Sequence, residues 1–175
     1  MNNIVICNPT IEDAKGSIEV QYKAWLDTYP NEKAGITTDD IDDRYKDAFE
    51  GLKLERRQKV FTNPESYEKA IVAKDGDTVV GYCYVTKKDG KNQLTAMYIL
   101  SEYHGQGIGT QMWEYIKDFF DEDNDIYVEV ADYNEKAIAF YKKLGFVDTG
   151  RRWTDERFRM KSGHAIPEME MKITR

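Results

Sequence analysis

Three glycines alternate with other residues in one short segment, Gly105-Gln106-Gly107-Ile108-Gly109-Thr110. An apolar strand pattern, 97–100, ends just before this segment, and a helical pattern begins at Ile108. Glycine permits backbone conformations in which successive N–H groups point at one anion, and the N-terminal end of a helix adds a positive partial charge. The segment therefore predicts a loop that binds a pyrophosphate through backbone N–H groups, with a further hydroxyl from Thr110.

Two other kinds of phosphate-binding loop do not fit these residues. A P-loop requires Lys-Ser or Lys-Thr after its second glycine, whereas Thr110 and Gln111 follow Gly109. A dinucleotide-binding fingerprint needs a third glycine at position 110, which is threonine. No acidic residue follows a second strand at the place needed to hold a ribose. The class of ligand is therefore not set by the glycines alone.

A second segment, from Asn134 to Phe146, has the pattern of a helix with one distinctive face. Asn134 is a typical N-cap residue, and Gly145 followed by Phe146 is typical of a helix C-terminus. Tyr141 follows Asn134 by about two helical turns, so the two side chains lie on the same face. An amide and a phenol are therefore expected side by side.

One carboxylate interrupts an otherwise apolar strand pattern, Ile126-Tyr127-Val128-Glu129-Val130-Ala131. A charged side chain among buried neighbours is unfavourable unless it faces a polar cleft or an ion-pair partner. Strand alternation places Glu129 on the same face as Tyr127 and Ala131. Glu129 therefore either lines a cleft or pairs with one of the many lysines of the chain.

The glycine loop, the asparagine and the tyrosine occur in the same order and at similar spacing in the GNAT acetyltransferase superfamily, which the chain resembles from about Tyr82 to Arg152. The loop matches the family pattern Q/R-x-x-G-x-G/A read from His104, although His104 replaces the usual glutamine or arginine and Ser101 replaces a common proline. The resemblance implies transfer of acetyl from acetyl-CoA to a primary amine. It also implies an α/β fold with a central, mostly antiparallel sheet, a parallel β-α-β core and flanking helices.

The resemblance further assigns roles to residues of this chain. Glu129 is the expected general base, directly or through water, because an alkylamine with a pKa of about 10 must lose a proton before it attacks. Tyr141 is the expected general acid for the departing CoA thiolate. The backbone of Met97, Tyr98 and Ile99 is expected to contact the cofactor and polarise the thioester carbonyl. The other expected CoA contacts are His104, Gly105, Gln106, Gly107, Ile108, Gly109, Thr110, Asn134 and Tyr141.

The acceptor amine is left open by the sequence. Tyr29 and Trp153 are candidates for its binding site, and the resemblance is to the small-amine and ribosomal-protein branches of bacteria and archaea. A polyamine, another small amine, and a protein or peptide amine all remain. Since no cysteine lies in the core motif, we expect direct transfer in a ternary complex. The alternative is a non-catalytic acetyl-CoA sensor, which would keep the loop without needing Glu129 and Tyr141 together.

Hydrophobic periodicity predicts the elements that must position these residues. Asp-Gly pairs at 75–76 and 89–90 indicate hairpin turns, and the strand–helix–strand order between 93 and 131 indicates a parallel pair. Strands are predicted at 4–7, 67–73, 78–86, 93–100, 126–131, 147–152 and 166–173. Helices are predicted at 10–29, from 38 to about 59 with a break at Gly51, at 108–119, and at 134–145.

Length and composition bound the remaining possibilities. A chain of 175 residues predicts a single domain over 1–175. The net charge of −7 gives no electrostatic reason to expect nucleic acid or an acidic membrane as a partner. Two isolated cysteines, Cys7 and Cys83, and two histidines predict no metal site and a reducing compartment. Without a signal-peptide pattern or an apolar span we expect a cytoplasmic protein, and a homodimer through free sheet edges is left open.

Overall fold

The computed structural model describes residues 4–175, except for the side chain of Arg157; residues 1–3 of the N-terminal segment considered for a signal peptide lie outside it. In this described part of the chain, seven strands form one mixed sheet in the order β1-β2-β3-β4-β5-β7-β6. The strands are β1 (Ile4–Cys7), β2 (Glu68–Asp75), β3 (Thr78–Lys88), β4 (Lys91–Ile99), β5 (Ile126–Ala131), β6 (Val147–Thr154) and β7 (Pro167–Ile173). The predicted fold class is confirmed.

Within residues 4–175, five α-helices flank this sheet: α1 (Asp13–Thr28), α2 (Thr38–Tyr45), α3 (Gly51–Thr62), α4 (Ile108–Ile116) and α5 (Glu135–Lys143). The predicted second helical region is two helices, because Glu50 is extended and Gly51 has a φ of +59°. The helix predicted at 108–119 is α4, which begins at Ile108 as predicted but ends at Ile116, where a 3₁₀ turn follows. No helix among residues 4–175 has both the length and the apolar character of a membrane span.

Strands β1 to β4 form an antiparallel meander, and β4 is parallel to β5. Both hairpin turns contain a glycine with positive φ, Gly76 at +60° and Gly90 at +74°. Strand β7 lies between β5 and β6, antiparallel to both. The last strand, β7, therefore pairs with the edge of β5 that faces away from β4.

Helix α1 packs closely on β3. A Cβ atom at Gly16 would lie 3.0 Å from the Val79 side chain, so this glycine permits the approach. A separate buried cluster joins α1 and α2 to the C-terminal segment through Ile18, Trp25, Ile41, Met160 and Ile166. This cluster fixes the N-terminal helices beside the strand ends where the candidate site lies.

An ion pair anchors the N-terminus of α1 to β2. Asp13 is buried, and Lys74 donates to its Oδ1 at 2.7 Å while the Thr10 N–H donates to Oδ2 at 2.8 Å. Burial alone would raise the pKa of Asp13, but the hydrogen bonds from Lys74 and Thr10 outweigh it and hold the pKa below its ordinary value. The charged carboxylate is therefore part of the folded structure.

We expect Asp13→Asn to lower the free energy of unfolding by about 2 kcal/mol, because it leaves the Lys74 ammonium without its partner. Since the folded pKa of Asp13 is depressed, its contribution is present above the unfolded pKa of about 3.9 and is lost as pH falls below it. Urea unfolding of both proteins between pH 3 and 7 measures this. A difference that does not shrink towards pH 3 would contradict the assignment.

Candidate functional site

The predicted phosphate loop leads directly into α4. Gly105 and Gly107 have φ angles of +76° and +77°, which side chains other than glycine rarely adopt. The Gln111 N–H donates to the Gly107 carbonyl at 3.1 Å, and in the described chain the N–H groups of residues 105–110 have no backbone acceptor. The loop therefore presents a run of unpaired donors at a helix N-terminus, which is the arrangement that binds pyrophosphate.

The third glycine has a different role. A Cβ atom at Gly109 would lie 2.9 Å from the Phe140 ring of α5 and 3.4 Å from Ile99 of β4. Gly109 therefore permits close packing between α4 and α5. Because Phe140 precedes Tyr141, this packing also sets the position of the Tyr141 ring relative to the loop.

The polar side chains of the loop are exposed. His104 donates from Nε2 to the Ile99 carbonyl oxygen at 2.9 Å, and Gln106 donates to the Glu102 carbonyl oxygen at 3.3 Å. Both hydrogen bonds thus stabilise the loop, and the bond from His104 links it to the end of β4. Thr110 lies exposed in the first turn of α4, whereas Ile108 is buried in the core.

Strands β4 and β5 separate along their length. They pair only from Asn92–Ile126 to Leu94–Val128, after which β4 continues to Ile99 with a single paired neighbour, β3. The backbone groups at the end of β4 that point towards β5 therefore lack a strand partner. This gap begins beside Glu129 and ends at the phosphate loop.

The register decides which backbone groups face the gap. The Leu100 N–H donates to the Val80 carbonyl at 3.0 Å, so alternation directs the backbone of Tyr98 towards β3 as well. Met97 and Ile99 are then the residues whose N–H groups face the gap. Tyr98 differs from the sequence-based expectation in this respect, because its backbone is engaged with Tyr82 of β3.

Asn134, the N-cap of α5, and Tyr141, within α5, lie beside this gap. The Asn134 side-chain oxygen accepts from the Ala137 N–H at 3.1 Å, so it caps the helix and leaves its amide N–H₂ available. Tyr141 is buried against Phe140 and Phe146, with ring centroids 5.4 and 5.6 Å away. The Phe146 N–H donates to the Tyr141 carbonyl at 3.0 Å, closing the helix in a Schellman motif.

The Tyr141 hydroxyl remains protonated at neutral pH. Burial raises its pKa well above the ordinary value, and the neighbouring Tyr98 and Cys83 raise it further. It makes no hydrogen bond to any residue that the structure describes. An unengaged, protonated phenol next to the gap has the properties of a proton donor.

A cavity of about 390 Å³ lies on the face of the sheet covered by α1. In β4, Tyr84 pairs with Ala96 while Val85 pairs with Leu94, which leaves Thr95 as a β-bulge. The bulge changes the alternation of the strand, so that side chains on both sides of it face the same cavity. The lining includes Trp25, Tyr29, Lys91, Thr95, Tyr98 and Glu129.

Glu129 faces this cavity and is about one-third exposed, with 37% of its side-chain surface accessible. Lys91 lies 3.9 Å from its carboxylate. The two readings left open by the sequence are therefore both realised, because Glu129 lines a cleft and also pairs with a lysine. Tyr98 lines the same cavity and also interacts electrostatically with the Tyr141 hydroxyl.

The two candidate acceptor residues lie in different places. Tyr29 lines the cavity, where burial raises the pKa of its hydroxyl well above the ordinary value and Tyr98 raises it further. Trp153 lies on the edge strand β6, where it pairs with Glu168 of β7. Its ring lies 4.9 Å from the Arg151 guanidinium, and Trp153 is not part of the cavity lining. Sequence reasoning missed Lys91 and Glu170, although the charged residues alternating with methionine in β7 were a signal for a polar face.

Comparison with known proteins places this geometry in a family. The acetyltransferase (GNAT) family model matches residues 22–146. The probable N-acetyltransferase san of Drosophila melanogaster is 38% identical over 98 residues, covering 51% of this chain and 53% of that protein. The peptidyl-lysine N-acetyltransferase YjaB of Salmonella typhimurium is 30% identical over 86 residues, covering 49% and 54%. The chain thus spans about half the length of these curated relatives.

Solved structures agree on the fold. The PaiA N-acetyltransferase of Thermoplasma acidophilum, crystallised with coenzyme A, superposes with a TM-score of 0.73 at 22% identity, covering 98% of this chain and 99% of that one. Since the family model covers more than half of its length, the chain belongs to the acetyltransferase (GNAT) family.

Proposed function

We propose that the protein is an acetyl-CoA-dependent N-acetyltransferase that acts on a primary amine by direct transfer in a ternary complex. The observation that carries the proposal is the gap between β4 and β5, which joins the phosphate loop to the cavity that holds Glu129. Two substrates held at opposite ends of this gap would meet beside Tyr141. That all seven strands of the described residues belong to one sheet also supports a single domain over 1–175.

Residues of the loop and α5 fit the donor. The unpaired N–H groups of residues 105–110 suit the pyrophosphate of CoA, with the Thr110 hydroxyl beside them. The free N–H₂ of Asn134 suits an amide of the pantetheine arm. The N–H groups of Met97 and Ile99 suit the thioester carbonyl, where fixed backbone donors stabilise the negative charge that develops during attack.

Proton transfers involve one residue at each end of the gap. Glu129 accepts the proton that the acceptor ammonium must lose, directly or through water, before the amine nitrogen attacks. Tyr141 donates its phenol proton to the sulfur as the carbon–sulfur bond breaks. The raised pKa of Tyr141 means that the phenol carries this proton at neutral pH.

The cavity supports a small cationic amine, such as a polyamine, as the acceptor. Trp25 and Tyr29 present aromatic surface, and Glu129 supplies negative charge, a combination that favours an alkylammonium group. A volume of about 390 Å³ is sufficient for a short aliphatic amine. A protein or peptide amine is the competing acceptor.

Release of free CoA from acetyl-CoA, measured against a panel of amines and short peptides, tests the proposal. Turnover of one acceptor supports the enzyme and names its class. Acetyl-CoA binding by calorimetry without release on any acceptor would instead favour the non-catalytic sensor.

We expect Glu129→Gln to lower kcat/KM for the acceptor by about tenfold to thirtyfold. This is below the effect usual for a general base, because Glu129 is one-third exposed and solvent water can replace part of its action. The measurement is the initial rate of CoA release at fixed, saturating acetyl-CoA.

The exposed pair of Glu19 and Lys23, joined at 2.7 Å on α1, provides the matched control for this change. Glu19→Gln removes the same type of charge outside the acceptor cavity and is expected to leave kcat/KM unchanged. An equal loss in both variants would contradict a specific role for Glu129.

A further inference from the structure

Two carboxylates face each other across neighbouring strands at one side of the acceptor cavity. Glu129 of β5 and Glu170 of β7 are paired in the antiparallel register. Side chains at such positions share one face of the sheet, and their Cβ atoms lie about 5 Å apart, so like charges on them repel each other. Glu170 is buried, with 8% of its side chain accessible, so solvent screens this repulsion only weakly.

One lysine compensates both charges. The Lys91 ammonium lies 3.9 Å from the Glu129 carboxylate and 3.9 Å from that of Glu170. It also lies 4.9 Å from the centroid of the Tyr127 ring, within the range of a cation–π contact. Lys91 belongs to β4, so its side chain reaches across β5 to take this place.

The two carboxylates differ in their other partners. Glu170 also accepts from the Arg151 guanidinium at 3.4 Å and from the Thr149 hydroxyl at 3.2 Å. Lys91 is the one ion-pair partner of Glu129 among the described residues. Loss of the Lys91 charge would therefore leave Glu129 uncompensated within the cavity.

We propose that Lys91 is a specificity-determining residue, because its ammonium occupies a cation subsite formed by Glu129, Glu170 and the Tyr127 ring. This subsite has the chemistry that binds an alkylammonium, and a lysine side chain is itself a primary alkylamine. A second positive charge on the acceptor therefore competes with Lys91 for the same place. The proposal rests on the proposed function, since it concerns how that acceptor is selected.

The test compares the affinities of two amines of similar length for the CoA-saturated protein. Calorimetry gives the dissociation constants of n-butylamine and 1,4-diaminobutane, and their ratio isolates the second positive charge. We expect Lys91→Met to increase the preference for the diamine on the order of tenfold, because the vacant subsite binds its second ammonium. Lys91→Arg retains the charge and is expected to keep the wild-type ratio.

Lys87 provides a matched control on the neighbouring strand. Its ammonium also lies over an aromatic ring, 4.8 Å from Phe119, and beside a carboxylate, 3.2 Å from Asp121, but it does not line the cavity. Lys87→Met is expected to leave the ratio unchanged. An unchanged or smaller diamine preference in Lys91→Met would overturn the proposal.

Turnover separates this result from the proposed function. Wild-type protein that transfers acetyl to neither amine would count against small-amine acetylation. The ratio of dissociation constants is measured with CoA and requires no transfer, so it still decides the role of Lys91.

Discussion

Replacing Tyr141 by phenylalanine is expected to lower kcat by about a hundredfold to a thousandfold, the range usual for loss of a general acid. The substitution removes only the hydroxyl, which has no hydrogen-bond partner among the described residues, so folding should be little affected. The ring remains packed on Phe140 and Phe146. CoA release under saturating substrates measures kcat, and thermal unfolding verifies the fold.

The affinity for CoA distinguishes catalysis from binding in this variant. We expect its dissociation constant to change by less than about threefold, because the phosphate loop is untouched. Tyr45→Phe removes another buried phenol hydroxyl, from α2, and serves as the matched control with an expected kcat close to wild type. A Tyr141→Phe protein with normal kcat would show that another group protonates the thiolate.

The pH dependence of kcat has an expected sign as well. Burial raises the pKa of Tyr141 above its ordinary value of about 10, so the phenol stays protonated as pH rises through the neutral and mildly basic range. Tyr141 should therefore cause no loss of kcat between pH 7 and 9.5.

Local patterns were sufficient for the strands and helices that carry the site. The predicted strand at 126–131 matches β5 residue for residue, since an alternating segment between polar turns has few alternatives. Gly145 and Phe146 predicted the end of α5, because the cap depends on neighbouring residues alone. The predicted fold followed from the order of these segments.

The shape of the cavity depends on contacts that no local pattern reports. Glu129 meets Glu170 only because β7 enters the sheet between β5 and β6. Lys91 reaches both carboxylates across an intervening strand, and the bulge at Thr95 redirects the side chains of β4. The sequence therefore predicted a role for Glu129 but did not predict the lysine that compensates its charge.

The position of Trp153 relative to the cavity likewise cannot be predicted from a local sequence pattern. Trp153 is a sequence-based candidate for the acceptor site, yet residues 149–151 bulge from the β6–β7 ladder and the ring packs with Arg151. The position of an edge strand relative to a cavity depends on the whole sheet order. Tyr29 is the C-cap of α1, and the packing of this helix on β3 places Tyr29 beside Tyr98 in the cavity lining.

Substituting Gly107 by alanine is expected to weaken CoA binding on the order of a hundredfold. Gly107 is the N-cap of α4 and has a φ of +77°. A Cβ atom added there would lie on the loop surface that the pyrophosphate must approach to reach the backbone N–H groups. The nearest protein atom to that Cβ is Gln111 Nε2 at 4.0 Å, so the methyl group meets no obstacle within the protein. The expected loss therefore arises from the ligand and from backbone strain.

Gly76→Ala separates these two causes. Gly76 has a φ of +60° in the β2–β3 turn, and a Cβ there would meet nothing within 4 Å. Both substitutions place alanine in the left-handed region, at about 1 kcal/mol each, and should lower stability similarly. Only Gly107→Ala should raise the CoA dissociation constant measured by calorimetry. If both variants bind CoA as the wild type does, the donors of residues 105–110 do not hold the pyrophosphate, and the loop serves only to start α4.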